Sequence, residues 1–341
     1  MIRLQLGRLA TVQDAQDMLQ TAIGVEFGTL PPYLYALYSI LPGTNAPASQ
    51  RIRSVVLQEM IHMCLACNIL NALGGNPLLK PPIYPGSLPG DIGPDGTPLT
   101  LRLYRFSQAA MYQGMQIEEP ADVPPFPVEE MLKTSAPKAV TIGQFYEALD
   151  KFLSRLPGSA WTAGRNQIVD DQFFPGQLFA VNGYDDAHIA IQQIVSEGEG
   201  AKDDPLDFQH DLAHYYRFRE IHDDLVLTKA DNRLHYTWGP EKLGVDWASA
   251  YPAIADPGDH DFSKDSSAAR AAQDACNTAY TAMVHALQRA VTGTAGALGE
   301  AVRAMFDLRM AALHALTVPL ADAAEVAGPA FLYRGSVGAA S

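Results

Sequence analysis

The chain has 341 residues, 48% of them apolar, and its 24 basic against 38 acidic residues leave a formal net charge of −14. That balance repels nucleic acid and anionic membrane and suits cations and neutral or basic small molecules, so neither nucleic acid nor membrane is expected as a partner. The opening Met-Ile-Arg-Leu carries no secretory apolar core, no run of about 20 apolar residues stands out, and three cysteines make no disulfide framework, so a cytoplasmic protein is expected.

The first helical pattern runs from about Val12 to Ile40, with apolar residues recurring at Ala15, Met18, Leu19, Ala22 and Ile23. Pro31-Pro32 removes two backbone donors inside it, which predicts a kink rather than two helices. A second helix is expected from about Ala48 to Leu73, closed by Gly74-Gly75 and Pro77. Cys64 and Cys67 share one face of it and read as small core residues. Residues 76–180 change texture. Prolines punctuate them, and two short helices are expected near Ser107–Ile117 and Ile142–Leu156, the second capped by Thr141. Aromatics such as Tyr104, Tyr112 and Phe126 argue for an ordered crossover that lines the entrance to a site, since pockets for small molecules are built this way. A third core helix is expected from about Asp185 to Glu199 and a fourth from about Leu206 to Leu227. Two amphipathic helices then follow, about Ser267–Thr292 and Gly296–Pro319.

The chemistry sits on the four core helices. In a bundle that holds two metal ions, two helices each give one carboxylate and two others each give a carboxylate-x-x-His pair. Residues i and i+3 lie about 60° apart on a helix, so both side chains reach one inward point. Helix one offers Glu26, helix two Glu59 and His62, helix three Glu197 or Glu199, and helix four Asp211 and His214. Glu59 and His62 lie among Val55, Val56, Ile61 and Leu65. A carboxylate buried there needs a partner or a metal, because unpaired buried charge costs several kcal/mol. One such spacing also arises in a metal-free core, but four helices offering ligands in order favour metal. Tyr33 and Tyr35 are candidates for hydrogen bonds to the ligands. Arg217 and Glu220, three apart beside His214, are spaced for an ion pair that supports the site without binding metal.

The segment from Glu26 through Pro31-Pro32-Tyr33 to Ile40 resembles the first helix of the ferritin-like domain family typified by the violacein-pathway iminophenyl-pyruvate dimer synthase. So do Gln58-Glu-Met-Ile-His-Met63, Gly198-Glu-Gly200 and Ala213-His-Tyr-Tyr-Arg-Phe-Arg-Glu-Ile221. Thr141-Ile-Gly-Gln-Phe-Tyr-Glu147 is similar to that family's crossover helix, and Asn277-Thr-Ala-Tyr-Thr281, Met305-Phe-Asp-Leu308 and Gly328-Pro-Ala-Phe331 to its trailing helices. The resemblance implies Glu26, Glu59, His62, Glu199 and His214 as metal ligands, choosing Glu199 over Glu197. It leaves Asp211 as a departure where glutamate would stand.

The expected architecture is all-α: a ferritin-like four-helix bundle with a long crossover insertion and two additional C-terminal helices. Residues 1–230 would form the bundle, including crossover 76–180, and 231–341 an irregular stretch plus a helical pair packed on it. The expected cofactor is two metal ions, iron by preference with manganese or zinc as alternatives. The expected activity is oxidation of a small amino-acid- or imine-derived substrate by O2 or peroxide, with a homo-oligomer compatible. The alternatives are a metal-binding or storage protein without organic substrate, and a metal-free scaffold.

Overall fold

The N-terminal helix begins where its sequence allows a tight cap. Thr11 accepts the Asp14 amide and Asp14 accepts the Thr11 amide, a reciprocal pair that satisfies two otherwise orphaned donors. Helix α1 then runs from Val12 to Tyr38 in one piece through Pro31-Pro32. Pro32 cannot donate to the carbonyl of Gly28, and the Tyr84 hydroxyl does so instead. The loop that carries Tyr84 approaches so closely that a Cβ on Gly28 would fall 2.4 Å from Leu88. A side chain at this position would have to displace the tip of Leu88.

The computed structural model describes residues 2–120, 138–200, 205–207, 209–229, 236–322 and 324–335. Helix α2 spans Ala46–Ala72, α3 Gln108–Ile117, α4 Ile142–Leu153, α5 Tyr184–Gly198, α6 His214–Asp223, α7 Ser267–Val291 and α8 Ala297–Ala315. Thr141 caps α4 through a capping box with Gln144, as expected. The fold is an all-α helical bundle among the described residues, apart from two small ribbons. β1 (Leu4–Leu6) pairs antiparallel with β2 (Lys138–Val140), and β3 (Leu227–Lys229) with β4 (Tyr236–Trp238). Three-residue strands are too short to show an alternating pattern, so the sequence did not announce them.

Helices α1 and α2 lie against each other, α3 packs on α6, α4 on α5, and α7 on α8, with α2 also touching α5, α6 and α7. Apolar side chains from all these helices form one continuous core. By length and hydropathy alone α2 would suit a membrane span, but 89% of its apolar window is buried inside the protein, as befits a core helix. Cys64 and Cys67 are free and buried on it, and burial pushes the Cys64 thiol up to about 12, which makes it inert as a nucleophile. Two buried asparagines on α2 tie down the crossover. Asn68 bonds the backbone of Ile168 and Phe179, and Asn71 that of Asn166 and Val291.

The fourth core helix differs from expectation. It starts at His214, not near Leu206, and ends at Asp223. Pro205 opens an irregular stretch in which the Asp207 carboxylate accepts the amides of Gln209 and Asp211, holding the chain in a turn. Asp211 therefore stands outside the helix and is exposed, and the i, i+3 argument that joined it to His214 does not apply.

Candidate metal centre

Two overlapping triads of ligand-type atoms occupy the bundle interior. Glu26, Glu59 and His62 bring one nitrogen or oxygen each within 4.8 Å of one another, and so do Glu59, Glu118 and His214. All five are buried, none more than 4% exposed. Glu59 belongs to both. Glu26 comes from α1, Glu59 and His62 from α2, Glu118 from the C-terminal cap of α3, and His214 from the first turn of α6.

Each carboxylate has one oxygen taken by a hydroxyl and the other turned inward. Tyr146 donates to Glu26 Oε1 at 2.7 Å, Thr29 to Glu59 Oε2 at 2.6 Å and Tyr33 to Glu118 Oε1 at 2.6 Å. The opposite oxygens face the imidazoles. Glu26 Oε2 and Glu59 Oε1 lie 3.7 and 3.8 Å from His62 Nδ1, and Glu59 Oε1 and Glu118 Oε2 lie 2.8 and 3.7 Å from His214 Nδ1. The far ring nitrogens are engaged on the outside. His62 Nε2 meets Glu197 Oε2 at 2.8 Å and His214 Nε2 meets Gln58 Oε1 at 3.2 Å. Arg217 donates to the same Gln58 oxygen and to Ser54. Outer partners of this kind fix the tautomer that leaves Nδ1 free to bind a cation.

The electrostatics call for that cation. Burial, with Glu118 and Glu26 close by, pushes Glu59 up to about 7. Burial and the neighbouring carboxylates also raise Tyr33 and Tyr146 well above the usual phenol range, so both stay protonated donors. For His62, burial pulls downward, but the hydrogen bonds and charges of Glu197 and Glu26 outweigh it and raise it. His214 Nδ1 is buried and makes no hydrogen bond of acceptable geometry despite its proximity to Glu59. An orphaned nitrogen beside two buried carboxylates suits a transition-metal ion, for which imidazole and carboxylate are ordinary ligands. Around these groups remains a cavity of about 20 Å³, walled by Val25, Ile142, Tyr146, Ile194 and Val195.

Of the six ligands expected, Glu26, Glu59, His62 and His214 converge. Glu199 borders the cavity, but its carboxylate accepts the Gly143 amide at 2.8 Å and pairs with the Thr141 hydroxyl, both at the start of α4. A Cβ on Gly143 would sit 2.6 Å from Glu199 Oε2, so this approach requires glycine. Asp211 takes no part in either triad. Tyr33 holds Glu118, whereas the Tyr35 hydroxyl donates to the carbonyl of Ile254, away from the centre. Arg217 and Glu220 do not pair with each other: Glu220 bonds Arg51 and the Leu227 amide, because its helix position turns it toward α2 rather than along α6. Among the crossover aromatics, Tyr112 is exposed beside His222 and Tyr104 lies under Arg102, and neither borders the cavity. Phe126 falls outside the described residues. The crossover contributes Glu118 and Tyr146 instead. Glu118 escaped the sequence reading because it belongs to no Glu-x-x-His pair. One signal was available: a carboxylate at a helix C-terminus opposes the helix dipole, and its burial there asks for a compensating cation.

The family model described as ferritin-like matches residues 19–223, from within α1 to the end of α6. No curated protein matches the chain. Among solved structures, a ferritin like protein from Caulobacter vibrioides is 22% identical with a TM-score of 0.65, the match covering 96% of this chain and 100% of that one. At that identity the likeness speaks for the fold, and the family match spans every helix that contributes to the two triads. The chain belongs to the ferritin-like family.

Proposed function

We propose that this protein is a metal-dependent oxidoreductase, with one ion held by Glu26, Glu59 and His62 and a second by Glu59, Glu118 and His214. The observation that carries the reading is the division of labour at the carboxylates: a hydroxyl on every outer oxygen and an imidazole opposite every inner one. A mixed imidazole and carboxylate set suits iron, manganese or zinc, and iron is the preferred occupant. When bound, two iron or manganese ions would supply electrons to an oxidant of the O2 or peroxide class, whereas zinc, which has no redox chemistry, would not.

The chain's own residues do the rest. Thr29, Tyr33 and Tyr146 hold protons on the outer carboxylate oxygens and so keep each inner oxygen aimed at the centre. Glu197 and Gln58 orient the two rings. The apolar wall excludes bulk water, and a cavity of about 20 Å³ has room for one water or a diatomic oxidant. The resemblance to the iminophenyl-pyruvate dimer synthase family suggests an amino-acid- or imine-derived substrate. Such a molecule exceeds this cavity, so its oxidation requires the walls of the cavity to open. The tightness of the cavity equally favours a second reading, metal binding or storage without an organic substrate.

The test is metal analysis of anaerobically purified protein, then oxygen uptake across a panel of amino acids and imines. Two ions per chain and substrate-dependent uptake are expected. Two ions with no uptake for any substrate would favour storage. Full metal content in the double variant Glu59→Ala, His62→Ala would remove the site altogether.

A further inference from the structure

The helices that carry Glu26 and Glu59 present a second, separate surface. On α1, Phe27, Leu30, Leu34 and Tyr38 recur at helical spacing, rotated away from Glu26, and border a cavity of about 670 Å³ between the α1–α2 pair and the α7–α8 pair. Protein interiors tolerate few voids larger than a water molecule, whereas ligand pockets run from about 300 to 1,000 Å³. The cavity has a direction. At the end nearest the α1–α2 turn stand Thr44, Ser49, Arg53 and, beside Tyr38, Arg309. Phe27 and Cys64 lie eleven residues along their helices from Tyr38 and Arg53, about 16 Å away at helical rise, and the walls there are apolar throughout. Met60, Met63, Met283 and Met305 line it, adaptable side chains that can follow a flexible guest.

The charge pattern selects the guest. In a chain of net charge −14, the charged residues on this lining are Arg53 and Arg309, with no carboxylate among them. Both arginines are exposed at the mouth, and neither has an acidic partner among the described residues. Phe173 and Phe306, 50% and 60% exposed, also border the cavity. A polar guest would leave its groups unpaired along the apolar length, and a purely apolar one would ignore the two cations. We propose that this cavity binds a single-chain fatty carboxylate, its tail toward Phe27 and Cys64 and its carboxylate between Arg53 and Arg309, where bidentate charge-assisted hydrogen bonds are available. The proposal is independent of the metal centre and of the oxidative reading.

Dodecanoate and dodecyltrimethylammonium below their micelle concentrations, and dodecanol below its solubility limit, should be titrated calorimetrically into the full-length, metal-loaded protein. One dodecanoate per chain is expected, bound at least tenfold more tightly than the cationic amphiphile. Arg53→Gln with Arg309→Gln should weaken dodecanoate at least tenfold while leaving dodecanol binding and metal content unchanged. Met283→Trp, which fills the apolar end, should abolish binding of both. Absence of saturable binding, or equal binding of the anionic and cationic chains, overturns the proposal. So does a sedimentation profile showing a stable dimer that Phe306→Glu dissociates, because a second copy would then be what covers the cavity.

Discussion

Replacing Glu118 with glutamine should stabilise the metal-free protein, the reverse of what a buried substitution usually does. The glutamine keeps the side-chain length and an acceptor for Tyr33 but removes one negative charge. The oxygens of Glu59 and Glu118 that face His214 lie within 4.8 Å of each other. At an effective dielectric near 20 their repulsion is about 3 kcal/mol. The new amide must find an acceptor of its own, which offsets about 1–2 kcal/mol of the gain. A net stabilisation of about 1–2 kcal/mol remains by this reckoning. It should appear above pH 8, where Glu59 is ionised. It should shrink toward zero below pH 6, because Glu59, pushed up to about 7 by burial and its neighbours, already carries a proton there. With metal the sign reverses: the second triad loses its anionic oxygen, bound metal falls from two ions to one, and about 4 kcal/mol of stabilisation is lost if that ion is present at a thousandfold its Kd. Urea denaturation at pH 8.5 and 5.5, with chelator and with manganese, measures all four quantities alongside metal analysis. A variant less stable than the parent without metal, or one that retains two ions, would refute the reasoning.

Three further outcomes are expected. Glu197→Ala removes the partner of His62 Nε2 and should weaken metal binding about 10- to 100-fold without abolishing it, measured by competition with a chromogenic chelator. Burial pushes Glu199 up to about 7 against the hydrogen bonds from Gly143 and Thr141. The folded state therefore holds this proton to higher pH than the unfolded chain, and the stability it contributes is present below about 4.5 and lost as pH rises toward 7. Glu199→Gln should flatten that decline, by up to about 3 kcal/mol, in denaturation of the chelated protein from pH 4.5 to 8; a parallel pH profile for variant and parent would contradict it. Gly114→Ala places a Cβ 2.8 Å from the Phe218 ring, which leans on Tyr33, and should destabilise the fold by about 1–3 kcal/mol in thermal denaturation.

The helices were largely legible, the short crossover pair included: α3 and α4, expected near Ser107–Ile117 and Ile142–Leu156, stand at Gln108–Ile117 and Ile142–Leu153. Helices α1, α2, α5, α7 and α8 carry enough turns for apolar spacing to show, and their observed bounds fall within a few residues of expectation. Glu59 and His62 were legible because a charged pair inside an apolar helix has few bland explanations. Glu26 was legible for the same reason, standing between Val25 and Phe27. Asp211 misled because an i, i+3 spacing has meaning only on a helix, and the turn held by Asp207 ends the helix short of it. Glu118 was hidden by distance along the chain: it lies 56 residues beyond His62, just past a short helix that carries no other ligand-type side chain. The hydroxyls of Thr29 and Tyr146 likewise gain their meaning from the tertiary contact alone, since nothing local to either residue marks it as a donor to a glutamate.

Glu59 stands in both triads, so two ions held there would be tied together thermodynamically. Whatever factor the first ion applies to the affinity of the second, the second applies to the first, so the two occupancies are linked through one side chain. Ordering Glu59 is a loss of freedom met once, on loading of the first ion, while mutual repulsion of the cations is met on the second. A substitution at Glu118 can therefore empty one position alone, but no substitution at Glu59 can. The half-loaded protein becomes a distinct species whose population is set by the balance of those two effects, and a titration that resolves two binding steps in the parent should collapse toward a single weak one in Glu59→Ala.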